Sequence, residues 1–122
     1  MKVLGETDRL PAGSTVATIG MFDGVHRGHA TLVDFLKQQA AAQGKQSLVI
    51  TFLRHPRQVL CPDADFKLIM PPEDRMDQIG ALGPDLLMPL DFTPDLAQLD
   101  SSQFIELLRD RYGVSMLFRS TT

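Results

Sequence analysis

The sequence has few of the features that mark extracellular, membrane or nucleic-acid-binding proteins. Cys61 is the one cysteine among 122 residues, so no disulfide can form within the chain. No apolar run reaches the roughly 20 residues of a membrane-spanning helix, and the first residues do not resemble a signal peptide. Acidic residues outnumber basic ones by 15 to 12, for a net charge of -3. We therefore expect a cytoplasmic protein with neither a membrane nor a nucleic acid as partner.

Two common nucleotide-binding loops and a zinc-site pattern are also missing. The sequence contains neither GxGxxG nor GxxxxGK[ST]. Its three histidines have no second cluster of His, Cys or acidic residues at zinc-ligand spacing, so we expect no metal held by the protein. What is present is 43% hydrophobic and 22% charged residues, which is typical of a single globular domain with a real core.

Segments typical of strands and of helices alternate along the chain. The predicted strands are Ser14 to Ile19, Ser47 to Phe52, Asp85 to Asp91 and Val114 to Phe118. The predicted helices are His29 to Gln43, Pro72 to about Gly80, Thr93 to about Asp100, and Ser102 to Tyr112. This order predicts an α/β fold, a doubly wound parallel sheet with flanking helices.

The stretch Gly20-Met-Phe-Asp-Gly-Val-His-Arg-Gly-His29 joins the first of these strands to the first helix. In a doubly wound sheet, this turn at the carboxyl edge is a common phosphate site. Gly28 lets an anion approach the backbone N–H groups at the helix start, and His26 and His29 could each donate a hydrogen bond to phosphate oxygens. The pattern favours phosphoryl or nucleotidyl transfer. The alternative is a histidine pair that only caps the helix.

The motif Gly20-x-Phe22-Asp23-Gly24-x-His26-x-Gly28-His29 resembles the signature of a known family. This family is the FAD synthetase (FMN adenylyltransferase) module of bacterial bifunctional riboflavin kinase/FAD synthetases, in the HxGH nucleotidylyltransferase superfamily. Phe52-x-x-His55-Pro56-Arg57-x-x-Leu60 is similar to a second family segment, although Arg54 stands where the family usually has proline. The likeness runs from about Val16 to Val114.

The resemblance implies transfer of AMP from ATP to FMN, giving FAD and pyrophosphate, on a Rossmann-like fold with Mg²⁺ bound to ATP. It implies that His26 and His29 are catalytic and bind the ATP phosphates. The other ATP-binding residues implied are Gly20, Phe22 and Gly28. The flavin-binding residues implied are Phe52, His55 and Pro56, of which the last two have an alternative role in shaping the exit from their strand.

The family's later motifs, Asp-x-x-Phe-Gly and Ser-Ser-Thr-x-x-Arg, do not occur in this sequence, and neither does its C-terminal riboflavin kinase domain. We therefore expect residues 1–122 to be a C-terminally truncated FAD synthetase domain. Two alternatives remain open. One is a cytidylyltransferase, which shares Gly-x-Phe-Asp-x-x-His-x-Gly-His. Gly24 and the segment His55-Pro56-Arg57 favour the flavin family over it. The other is a nucleotide- or flavin-binding module that does not turn over.

Overall fold

The computed structural model describes residues 1–5, 8–20, 22, 27–52, 72–91 and 93–119. Its strands are β1 (Lys2–Val3), β2 (Thr15–Gly20), β3 (Gln46–Phe52), β4 (Leu86–Leu90) and β5 (Val114–Arg119). The helices in these ranges are α1 (Arg27–Ala42), α2 (Pro72–Leu82), α3 (Pro94–Ala97) and α4 (Ser101–Tyr112). None of these helices is long and apolar enough to cross a membrane.

The described strands form one sheet in the order β1-β4-β3-β2-β5, and every pair in it is parallel. The neighbouring strands β2 and β3, each paired on both sides, are buried along most of their length. Strands buried on both faces often read as nearly continuous apolar runs, as β3 does. The predicted α/β fold with a doubly wound parallel sheet is therefore confirmed.

Two apolar clusters cover the two faces of the sheet. One packs α4 against β3 and β4 and includes Leu48, Met88 and Leu108. The other packs α1 and α2 against the opposite face and includes Val33, Leu36, Val49 and Ile79. Because both faces of the inner strands are covered, a ligand would reach these strands at their ends.

The capping residues of α3 and α4 explain where these helices begin, and the bounds differ slightly from the predicted ones. Thr93 caps α3 by accepting a hydrogen bond from the N–H of Leu96, but the helix ends at Ala97, before the predicted stop near Asp100. Helix α4 begins at Ser101 because Asp100 and Gln103 form a capping box. Side-chain hydrogen bonds at the caps determine where α3 and α4 begin, and the spacing of apolar residues does not predict them.

The N-terminal strand β1 was not predicted, because two exposed residues carry no recognisable pattern. It pairs with Leu86 and Leu87 of β4 and does not reach Pro89. Among the described residues, the part of β4 from Met88 to Leu90 is therefore paired with β3 only. Pro89 lies in this edge segment, where proline is tolerated.

Two glycines with a positive φ, Gly44 and Gly113, allow the cost of a left-handed backbone to be separated from the cost of a steric clash. Gly113 ends α4 with φ 62°, and a Cβ there would lie 1.9 Å from the carbonyl oxygen of Pro11. Gly44, with φ 66°, has nothing within 4 Å of such a Cβ.

Gly44→Ala should lower the free energy of unfolding by about 1–2 kcal/mol, because a residue with a Cβ pays that cost in the left-handed conformation.

Gly113→Ala should lower the free energy of unfolding by about 2 kcal/mol more than Gly44→Ala does, because the steric clash adds to the same backbone cost. Urea denaturation of the two variants measures the difference. Equal losses would show that the contact between Gly113 and Pro11 does not constrain the fold.

Candidate active site

A cavity of about 320 Å³ lies at the carboxyl-terminal part of the sheet. Strand β2 contributes Ile19 and Gly20 to its lining, β3 contributes Phe52, and β5 contributes Leu117. The chain passes from β2 through α1 to β3 on one side, and β5 later pairs with the other side of β2. Such a reversal of strand order opens the crevice in which parallel α/β sheets bind ligands. The cavity is therefore at the position that this fold uses for ligands.

Helices α3 and α4 form the opposite wall of the cavity. Their apolar contributions are Leu96, Ala97, Phe104 and Ile105. Asp100 and Ser101, at the start of α4, add polar groups to the lining. With Phe52 on the sheet side and Phe104 on the helix side, the cavity offers aromatic surfaces to a flat ring system and a few hydrogen-bonding groups.

An aromatic pair, Phe22 and His29, lies at the beginning of α1. Phe22 is fully buried and has a φ of 56°, a left-handed conformation that is uncommon for a residue with a side chain. Its ring centroid is 4.8 Å from that of the His29 imidazole, and the planes are tilted by 50°. His29 is 2% exposed and shares the buried face of α1 with Val33. The imidazole is thus fixed by packing within the first two turns of the helix.

The start of α1 is suited to an anion. A helix N-terminus presents backbone N–H groups and the positive end of the helix dipole to a phosphate. The first turn of α1 has no acidic residue, whereas α3 has Asp95 in its first turn and α4 is capped by Asp100. Gly28 is exposed in the first turn of α1, where it has no side chain to block an approaching anion. Within the described residues, the first turn of α1 therefore presents no carboxylate that would compete with an anion.

The predicted site residues fall into two groups at this edge of the sheet. Gly20 and Phe52 line the cavity. Gly28 and His29 lie in the first turn of α1, and Phe22 packs against His29. Gly20 and Phe22 are two positions apart in the sequence, so the cavity and the aromatic pair involve neighbouring residues of the chain. Outside the described residues lie His26, His55 and Pro56, whose roles stay predictions.

The sequence did not predict the helical wall of the cavity. The apolar spacing of α4 is typical of a core-facing stripe, and Phe104 does pack against the core, but Phe104 and Ile105 also line the cavity, and Ile105 is 50% exposed. Periodicity does not separate an aromatic residue that borders a cavity from one in the core. The signal that could have helped is Thr93-Pro94, which starts a short helix directly after a strand and so brings apolar side chains to the carboxyl edge.

A family model for FAD synthetase matches residues 9–119 of this chain. The bifunctional riboflavin kinase/FMN adenylyltransferase of Bacillus subtilis is 41% identical over 93 residues, which are 75% of this chain and 29% of that protein. The proteins of the same name from Listeria monocytogenes and Pseudomonas fluorescens are 34% and 36% identical, over 82% and 84% of this chain. The chain spans about a third of the length of these relatives, 32% and 33% in the last two.

A solved structure shows the same fold. The crystal structure of a protein described as a macrolide-efflux protein from Streptococcus pneumoniae matches with a TM-score of 0.74 and 22% identity, covering 98% of this chain and 48% of that one. At this identity the likeness concerns the fold alone. The family model and the sequence relatives decide the classification: the chain belongs to the FAD synthetase family.

Proposed function

We propose that this chain carries the FMN adenylyltransferase step of its family, in which AMP passes from ATP to FMN and FAD and pyrophosphate are formed. One observation carries the proposal. The apolar, aromatic-lined cavity reaches Gly20, and Phe22, two positions along the chain, packs against His29 in the first turn of α1, which has no acidic residue. A reaction between a flavin and a triphosphate needs these two environments side by side.

The cavity supports a flavin as the acceptor. An isoalloxazine ring is flat and largely apolar, and it carries hydrogen-bonding atoms at its edges. The cavity, at about 320 Å³, is in the range of small-molecule sites. Phe52 and Phe104 face it from opposite walls, and Asp100 and Ser101 provide polar partners. Apolar burial of the ring would supply affinity, and the polar groups would orient it.

The start of α1 supports the triphosphate as the donor. Backbone N–H groups of its first turn would bind phosphate oxygens, with Gly28 admitting them. His29 has its imidazole in the same turn, held against Phe22. His26, three residues earlier in the sequence, would join it, as the family resemblance implies.

The reaction requires no nucleophile from the protein. An oxygen of the FMN phosphate attacks the α-phosphorus of ATP and forms a new P–O bond. The bond from the α-phosphorus to the oxygen bridging to the β-phosphorus breaks, and pyrophosphate leaves with the electron pair. The protein aligns the two phosphates and stabilises the charge that develops on their oxygens. His29 would do so by donating a hydrogen bond that strengthens as this charge grows.

Mg²⁺ would arrive with the nucleotide. Among the described residues, no group of three His, Cys, Asp or Glu could hold a metal ion. Mg²⁺ is commonly held by one or two carboxylates together with substrate phosphates and water. When bound, it would neutralise phosphate charge and make pyrophosphate a better leaving group.

The proposed activity predicts FAD and pyrophosphate in equal amounts when the chain is incubated with FMN, ATP and Mg²⁺. Chromatography of the flavins and a coupled pyrophosphate assay measure the two products. Replacing ATP by CTP should abolish the reaction, whereas a flavin–cytidine product would favour the cytidylyltransferase alternative. Because the chain spans about a third of its relatives' length, the assay is repeated with a form extended beyond Thr122. FAD from neither form would contradict the proposal.

His29→Ala should lower turnover by about a hundredfold or more in the form that makes FAD, as loss of a single transition-state donor does. The matched control is Val33→Ala, one turn further along the same buried face of α1. It should lower the free energy of unfolding by about 1–3 kcal/mol and leave turnover little changed. If both variants lost activity in parallel with stability, His29 would have only a packing role.

A further inference from the structure

Arg75, on α2, is the largest side chain in the described structure that is fully buried. Burying a guanidinium is costly unless its donors make hydrogen bonds, so an arginine at 0% exposure indicates a specific polar role. The family resemblance and the sequence motifs assign no role to Arg75.

The Nη2 atom of Arg75 donates a hydrogen bond to the carbonyl oxygen of Phe52. Phe52 is the last residue of β3, and its backbone pairs with Leu90 of β4. A charged donor makes a stronger hydrogen bond than a neutral one. Arg75 therefore fixes the peptide group at the point where the chain leaves the sheet.

The apolar part of α2 does not require an arginine. Met76, Ile79 and Leu82 of this helix pack into the cluster that includes Phe22. An aliphatic residue at position 75 would pack there without the desolvation of a charge. The guanidinium instead reaches from this face of the sheet to the end of β3.

The ring of Phe52 lies on the other face, where it packs against the cluster of α4 and lines the cavity. In a strand, the orientation of the peptide group determines where the attached side chain points. Fixing the carbonyl of Phe52 from one face thus sets the position of its ring on the other.

We propose that Arg75 is a positioning residue for flavin binding: it holds the end of β3 so that Phe52 forms the sheet-side wall of the cavity. The proposal rests on the proposed function, since it takes FMN as the occupant of that cavity. Arg75 itself does not touch the flavin. It acts through the backbone of Phe52, so its loss should affect the flavin more than the nucleotide.

Three variants of the chain test this inference. Arg75→Met removes the donors and keeps an unbranched side chain, Arg75→Lys keeps the charge and a donor, and Ile79→Ala is the matched control. Ile79 lies one turn along the same helix, is also fully buried, and makes no polar contact with β3. The dissociation constant of FMN is measured by quenching of flavin fluorescence, and that of ATP by calorimetry. The carbonyl carbon resonance of Phe52 reports the hydrogen bond directly.

We expect Arg75→Met to raise the dissociation constant of FMN by about tenfold or more and to leave that of ATP nearly unchanged. Its Phe52 carbonyl resonance should move upfield, as a carbonyl does when it loses a hydrogen bond. Arg75→Lys should restore part of the FMN affinity. Ile79→Ala should lower stability without changing either affinity or the carbonyl resonance.

Unchanged FMN affinity in Arg75→Met, or an equal loss of FMN and ATP affinity, would overturn the inference while the proposed function stands. An effect of Ile79→Ala on FMN as large as that of Arg75→Met would also overturn it. If Arg75→Met does not fold, Arg75→Lys decides, because a weakened hydrogen bond must still shift the Phe52 resonance and weaken FMN. A wild-type chain that binds no FMN would instead contradict the proposed function itself.

Discussion

Parallel pairing on both sides of β2 is the constraint on which the site depends. Since β3 and β5 both run in the direction of β2, their carboxyl ends meet at one edge. Since β3 follows β2 through α1 and β5 arrives from the opposite side, the connections diverge there and leave a crevice. The cavity beside Gly20 and the start of α1 both follow from that divergence.

The two faces of the sheet supply different chemistry to this edge. On the α1 face, Phe22 packs against His29 in a first helical turn whose described residues include no carboxylate, which suits phosphate. On the α4 face, Phe104 and its neighbours form an apolar wall, which suits a ring. The end of β3 connects the two, because the Phe52 carbonyl contacts Arg75 from one face while the Phe52 ring lines the cavity on the other.

Features that depend on local chemistry could be predicted from the sequence, and features that depend on distant contacts could not. The glycines and histidines from Gly20 to His29 predict a phosphate site because the backbone freedom and the donors lie within ten residues, and this remains a prediction. The parallel sheet follows from the alternation of apolar runs and helical stripes. Phe104 and Arg75 gave no such signal: one resembles any core aromatic and the other any exposed arginine, until the fold brings them to the ends of β2 and β3.

The central claim is that the cavity takes the flavin and the start of α1 takes the triphosphate. Nuclear magnetic resonance titration of the isotopically labelled chain tests it most directly, first with FMN and then with a non-hydrolysable ATP analogue and Mg²⁺. The account predicts that FMN shifts the resonances of Phe52, Leu96 and Phe104, and that the ATP analogue shifts those of Gly28 and His29. FMN that perturbs the start of α1 and leaves the cavity residues unchanged would contradict it.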